Sequence, residues 1–145
     1  MLDKKDRLIL ANQYRILVAL DAEDRETYER WIEALEEGFE SAYMSIFDHI
    51  DDGLPRERCK FVIDVLCMYD ALQRSFKNLT DTTGIDPSDV VFRGFDGNEE
   101  GAERSYAQYV RDREGRFDYL DVDSDDLNAH MPSIDLYQRM LPAWL

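Results

Sequence analysis

The residues with the clearest claim to chemistry are the alternating carboxylates Asp121, Asp123 and Asp125. Their spacing matches the first three oxygen ligands of a calcium loop, which then needs glycine at its sixth position and a bidentate glutamate at its twelfth. Asp126 and Pro132 stand there instead, so DVDSDDLNAHMP reads as a solvated acidic loop. A zinc site needs four ligands, and His49, His130, Cys59 and Cys67 are the only histidines and cysteines; their separations fit no finger or knuckle. Cys59 and Cys67 fall eight residues apart in one expected helix. That is about 12 Å along the axis, against a disulfide Cα reach of roughly 7 Å, so they read as reduced, buried thiols. No Walker Gly-Lys-Ser/Thr and no GxGxxG occurs, and neither histidine lies in a nucleophile signature. No metal or cofactor is expected, no catalytic residue is assigned, and enzymatic activity is left open.

Polar side chains within apolar stripes are more informative. In RLILANQYRILVALD, Arg7 to Asp21, the residues Leu8, Ile9, Ile16, Leu17 and Leu20 share one helical face. Asn12 and Gln13 lie four residues after the first pair and four before the second, so they point the same way. The expectation is two inward-facing carboxamides, which need protein partners because an unpaired buried amide costs roughly 1–3 kcal/mol. Facing a polar pocket or a second subunit is the alternative. Tyr14 is rotated away and suits a contact with a neighbouring element. A second cluster joins Arg93, Gly94, Phe95 and Asp96 with Gly115, Arg116 and Phe117, and Arg116 near Asp96 would tie two loops together.

The elements that must position these groups are helical. The first helix is expected over about 3 to 20 and the second from Asp24 to about Asp48, with Gly38 marking a bend or close contact. Pro55 suits the first turn of a third helix, PRERCKFVIDVLCMYDALQRSFKNL, whose apolar residues cover well over half its circumference. Such a helix is central, and it is expected to pack against helices one, two and four. A fourth helix follows Asp96, with Gly115 as its stop, and a short last helix follows Ser133. Between them, VVFRGF and RFDYL favour an extended backbone and could pair as a two-stranded ribbon. The expected fold class is mainly α: a multihelical single domain over residues 1–145 around a central hydrophobic helix.

Composition sets the outer bounds. With 145 residues, 44% of them hydrophobic, the chain has material for a genuine core. Acidic residues outnumber basic ones 32 to 17, and the net charge of −15 disfavours phosphate backbones and anionic lipid. Neither nucleic acid nor membrane is an expected partner. MLDKKDRLIL lacks the apolar stretch and cleavage site of a secretory signal, which makes a cytoplasmic location the expectation.

Taken together, RLILANQYRILVALD, CKFVIDVLCMYDAL with NLTD, VVFRGFD, the Tyr106/Tyr109 helix with EGR, and PSIDLYQRML with Trp144 resemble the YfbU family of bacterial proteins. The blocks run in family order over nearly the whole chain. The resemblance implies a predominantly helical cytoplasmic protein that associates with itself, and it carries no catalytic set. It implies a C-terminus somewhat longer than this one, and it directs interest to Asn12, Gln13, Tyr14, Gly94, Phe95, Asp96, Gly115 and Arg116. The expected function is a noncatalytic interaction module, a homo-oligomer with a dimer favoured, that could take a protein partner. The alternative is a small hydrolase or nucleotide-binding enzyme with a pocket near Asn12, Gln13 and Arg116.

Overall fold

The computed structural model describes residues 1–20 and 23–145. Asp21, the last residue of the RLILANQYRILVALD stretch, lies outside the described residues, as does Ala22. The helices are α1 (Lys4–Ala19), α2 (Arg25–Glu37), α3 (Glu40–Tyr43), α4 (Arg56–Asn78), α5 (Gly101–Asp112) and α6 (Ile134–Trp144). The fold is mainly α, and the chain divides into two compact units, Met1–Asp52 and Gly53–Leu145.

In the first unit, Asp3 caps α1 by accepting from the Asp6 N–H at 2.8 Å, which satisfies one of the orphan donors of the first turn. Ala11, Ala34, Leu35 and Tyr43 form the core. The small side chains at 11 and 34 let α1 and α2 approach closely. Arg7 Nη1 donates to the Leu35 carbonyl at 3.0 Å, near the end of α2. Gly38 then turns left-handed at φ +77°, and a Cβ there would fall 2.5 Å from Arg7 Nη1. The second helix expected to reach Asp48 therefore stops at Glu37. Its remainder becomes α3 and a 3-10 turn, Met44–Phe47.

In the second unit, α4 is the apolar rod that its sequence promised. Val62, Val65, Leu66, Met68 and Tyr69 are buried, and α5 and α6 cover them with Ala107, Val110, Tyr137 and Leu141. Each such large side chain contributes about 1.5–3 kcal/mol on burial. Tyr69, Phe92, Phe95 and Tyr137 interlock, mostly in tilted or edge-on pairs such as Phe95–Tyr137 at 5.4 Å.

The expected ribbon between VVFRGF and RFDYL does not form. Phe117 takes φ +60°, and the Leu120 N–H donates to the Phe117 carbonyl at 3.2 Å, so RFDYL closes into a turn. Phe92 and Phe95 instead make two isolated parallel bridges, to Val122 and Asn128. The acidic segment is thus pinned to the core. Gly94, between the bridges, has φ +88°, and a Cβ there would meet the Leu127 carbonyl oxygen at 2.1 Å. Gly94→Ala should lower the unfolding free energy by about 3 kcal/mol, since strain and a backbone clash add. Urea denaturation of the variant beside the parent checks this.

Candidate functional site

Two places gather polar or unpartnered groups, one in each unit. In the second unit a buried network of side chains replaces the hydrogen bonds that a sheet would have provided. Gln73, on α4, is 4% exposed. Its Nε2 donates to the carbonyls of Val90 (3.0 Å) and Asp121 (2.8 Å), and its Oε1 accepts from the Asp121 N–H (2.9 Å). One carboxamide therefore clamps both loops against the rod.

Glu100 is 5% exposed at the entry to α5. Its Oε1 accepts from the N–H groups of Ser133 (2.8 Å) and Ile134 (2.9 Å), the first turn of α6, and its Oε2 accepts from the Asp96 N–H (2.9 Å). A carboxylate at that helix end satisfies orphan donors and meets the positive end of the macrodipole. Tyr137 completes the network by donating from its hydroxyl to the Gly94 carbonyl at 2.7 Å. Burial pushes that hydroxyl far above the ordinary tyrosine range, so it stays a donor.

The sequence-derived cluster lands around this network rather than in it. Asp96 is buried, and its carboxylate accepts from the Glu99 N–H at 3.1 Å, capping the turn before α5. Arg93 is exposed. Arg116 is also exposed; it donates to Glu114 at 3.3 Å and lies over the Phe117 ring at 5.3 Å. The expected tie between Arg116 and Asp96 is replaced by these local contacts, because Asp96 is turned into its own cap. The acidic loop has its own staple: Arg104 donates to the Asp126 carbonyl and carboxylate, both at 2.8 Å. Hydrogen bonds from Ser124, then from the Asn128 N–H, hold the Asp126 carboxyl below the usual carboxylate range. Cys59 and Cys67 are unbridged, and burial pushes the Cys67 thiol up.

In the first unit the geometry reverses an expectation. Asn12 and Gln13 are exposed, not buried. The reason is that α1 meets α2 through Ala11, with Tyr14 and Leu10 beside it. At 3.6 residues per turn, Ile9 and Ile16 stand roughly 160° and 140° around the helix from Ala11. The middle of the stripe seen in the sequence is the outer face: Ile9 is 46% exposed, Ile16 61% and Leu20 72%. Asn12 Oδ1 accepts from Arg15 at 3.0 Å, and Arg15 pairs with Glu36. Tyr14 stacks on Tyr28 at 5.5 Å and tilts against Trp31 at 5.1 Å. These rings, with Leu17, Ile46 and His49, line a groove of about 580 Å³.

Gln73 and Glu100 were absent from the sequence-derived set, although a signal existed for each. Gln73 follows Tyr69 by four residues and so continues the apolar stripe of α4. Glu100 follows the capping residue Asp96 by one helical turn.

A family model described as the YfbU domain matches residues 1–145. The UPF0304 protein MJECS11 of Methanocaldococcus jannaschii is similar to this chain, with 37% identity over 149 residues that cover 99% of this chain and 88% of that protein.

The two kinds of carboxamide should separate in denaturation experiments on dilute protein. Gln73→Ala is expected to lose about 3 kcal/mol and Glu100→Gln about 2 kcal/mol, because buried backbone groups lose their partners. Gln13→Ala should change stability by less than about 0.5 kcal/mol, as for other exposed positions. Similar losses for Gln13→Ala and Gln73→Ala would contradict these assignments.

Proposed function

The chain belongs to the YfbU family, and on that premise we propose that it is a noncatalytic, cytoplasmic interaction module that associates with itself. The observation that carries this reading is the outer face of α1. Ile9, Ile16 and Leu20 lie exposed on a helix whose opposite side already fills the core of its unit, with Leu8 and Leu17 exposed on its two flanks. Scattered exposed aliphatics are ordinary, whereas an apolar stripe along one helix, interrupted here by Asn12 and Gln13, suits a surface that another molecule covers. The acidic exterior, at a net charge of −15, disfavours nucleic acid and anionic membrane as that molecule.

The buried carboxylates support the noncatalytic part of the reading. Glu100 is committed to three backbone N–H groups and Glu103 to Arg58 at 2.7 Å, which leaves these two acids structural. No helix among the described residues is long and apolar enough to cross a membrane.

Light scattering coupled to size-exclusion chromatography tests the proposal. The expected mass exceeds the 17.0 kDa of one chain at micromolar concentration and falls toward it on dilution. A mass of one chain throughout would end the self-association reading.

A further inference from the structure

We propose that two copies join through the outer faces of α1, antiparallel about a twofold axis that passes between Asn12 and Gln13. This rests on the self-association proposed above and names its surface. The occupant of the exposed face is a second copy of the same helix.

The first support is the order of residues along that face. A twofold contact is isologous, so a residue at one position must suit the residue that the axis carries onto it. Reversing α1 about the midpoint of Asn12 and Gln13 sets Ile9 against the partner's Ile16 near the centre of the face, while Leu8 and Leu17, about 180° apart around the helix, border the seam on opposite sides. The central aliphatics thus meet aliphatics, each amide comes level with its own copy, and Leu20 falls beside the partner's Lys5. The centre of the face, Ile9 and Ile16 with the amides between them, therefore reads the same in both directions. The four-residue spacing 8, 12, 16 and 9, 13, 17 lays down the ridges that interdigitate when two helices cross at about −50°.

The second support is charge. The chain is acidic as a whole, yet α1 carries Lys4, Lys5, Arg7 and Arg15 against the single acid Asp6. That local positive charge offsets part of the acidity that two approaching chains carry. Its last turn holds no basic residue, so the negative end of its macrodipole is uncompensated within the chain. An antiparallel partner brings its Lys4 and Lys5 toward that end. Parallel pairing would instead set the lysines of the two copies against one another.

The exposed amides then have a role that burial within one chain did not provide. Asn12 of one copy faces the partner's Asn12 on one side of the seam and Gln13 faces the partner's Gln13 on the other, and two carboxamides can donate to and accept from each other. A polar pair amid an apolar seam fixes register, because a shift along the helix strands it among aliphatics. A single helix pair is small among stable interfaces, which suits a dissociation constant in the micromolar range.

Sedimentation equilibrium on charge-swapped variants tests the arrangement. In the antiparallel register residue 9 of one copy meets residue 16 of the other. I9K/I16E therefore sets lysine against glutamate twice, and I9K/I16K sets like charges together. The expected result is that I9K/I16E associates at least about tenfold more tightly than I9K/I16K. Equal and severe weakening of both overturns the antiparallel register. Association of both at the strength of the parent places the interface elsewhere, which overturns this inference and leaves self-association standing. A parent chain that sediments as a monomer throughout removes self-association itself. Circular dichroism checks that each variant keeps its helix content. Should a charged variant lose it, Ile9→Ala and Ile16→Ala take its place; each should weaken the dimer at least about tenfold, since one substitution acts twice across a twofold axis. An unchanged dissociation constant for both overturns the interface.

Discussion

The second unit depends on one constraint: buried backbone polar groups must be paired, and its long irregular segments have almost no sheet in which to pair them. The segment between α4 and α5 and the segment between α5 and α6 both cross the core, pairing backbone to backbone at the bridges of Phe92 and Phe95, with the Gly97 N–H donating to Asn128 Oδ1 beside them. Several further N–H and carbonyl groups are met by side chains of the helices and their caps. Gln73 serves Val90 and Asp121, Glu100 serves Asp96, Ser133 and Ile134, and Tyr137 serves Gly94. Among the described residues every buried side-chain nitrogen and oxygen finds a partner in turn. This explains why a rod as apolar as α4 carries a buried carboxamide. Without it, a loop packed on hydrocarbon would lose its hydrogen bonds to water with nothing in exchange.

The same constraint accounts for the tight backbone near residue 94. Because Tyr137 and the Phe95 bridge draw Gly94 against Leu127, the approach excludes any side chain there. Phe92 and Phe95 flank that point and send both rings into the aromatic cluster. Core packing and backbone pairing are therefore properties of one stretch, VVFRGF. Its extended character was legible because β-branched and aromatic residues favour it. Its pairing was not, since an isolated parallel bridge needs no hairpin turn and leaves no turn signature in the sequence.

What could be read from sequence follows a physical rule. Helix existence rests on periodicity over many residues, so α1, α4 and α6 lie close to where Leu8–Leu20, Phe61–Leu79 and Ser133 placed them. Punctuation was equally plain at Pro55, while at Gly38 the left-handed backbone ended a helix that acidic patterning seemed to continue. Orientation is harder. An apolar stripe states that some face is covered, not which molecule covers it. In α1 the inward contact is made by Ala11, whose small side chain contributes little to a hydrophobic pattern, and the bulky aliphatics lie on the other side. Reading bulk as inwardness assigned Asn12 and Gln13 to an interior that belongs to Ala11. The reasoning about amides in stripes was sound, and Gln73 is where it applies within one chain.

The proposed contact through α1 also resolves the tension between acidity and association. At a net charge of −15 two copies repel at long range, but at physiological ionic strength that field decays over about 8 Å. What decides whether they join is the local surface within that distance. On α1 it is aliphatic and mildly basic, while α2 carries five glutamates against two arginines. The acidic helix keeps the remaining surface solvated and disfavours contacts made elsewhere, so repulsion narrows the choice of contact rather than forbidding it. The central amides would narrow it further: Asn12 and Gln13 keep the outer stripe from being wholly apolar, which limits indiscriminate aggregation, and in the proposed dimer they favour the one register in which both are paired.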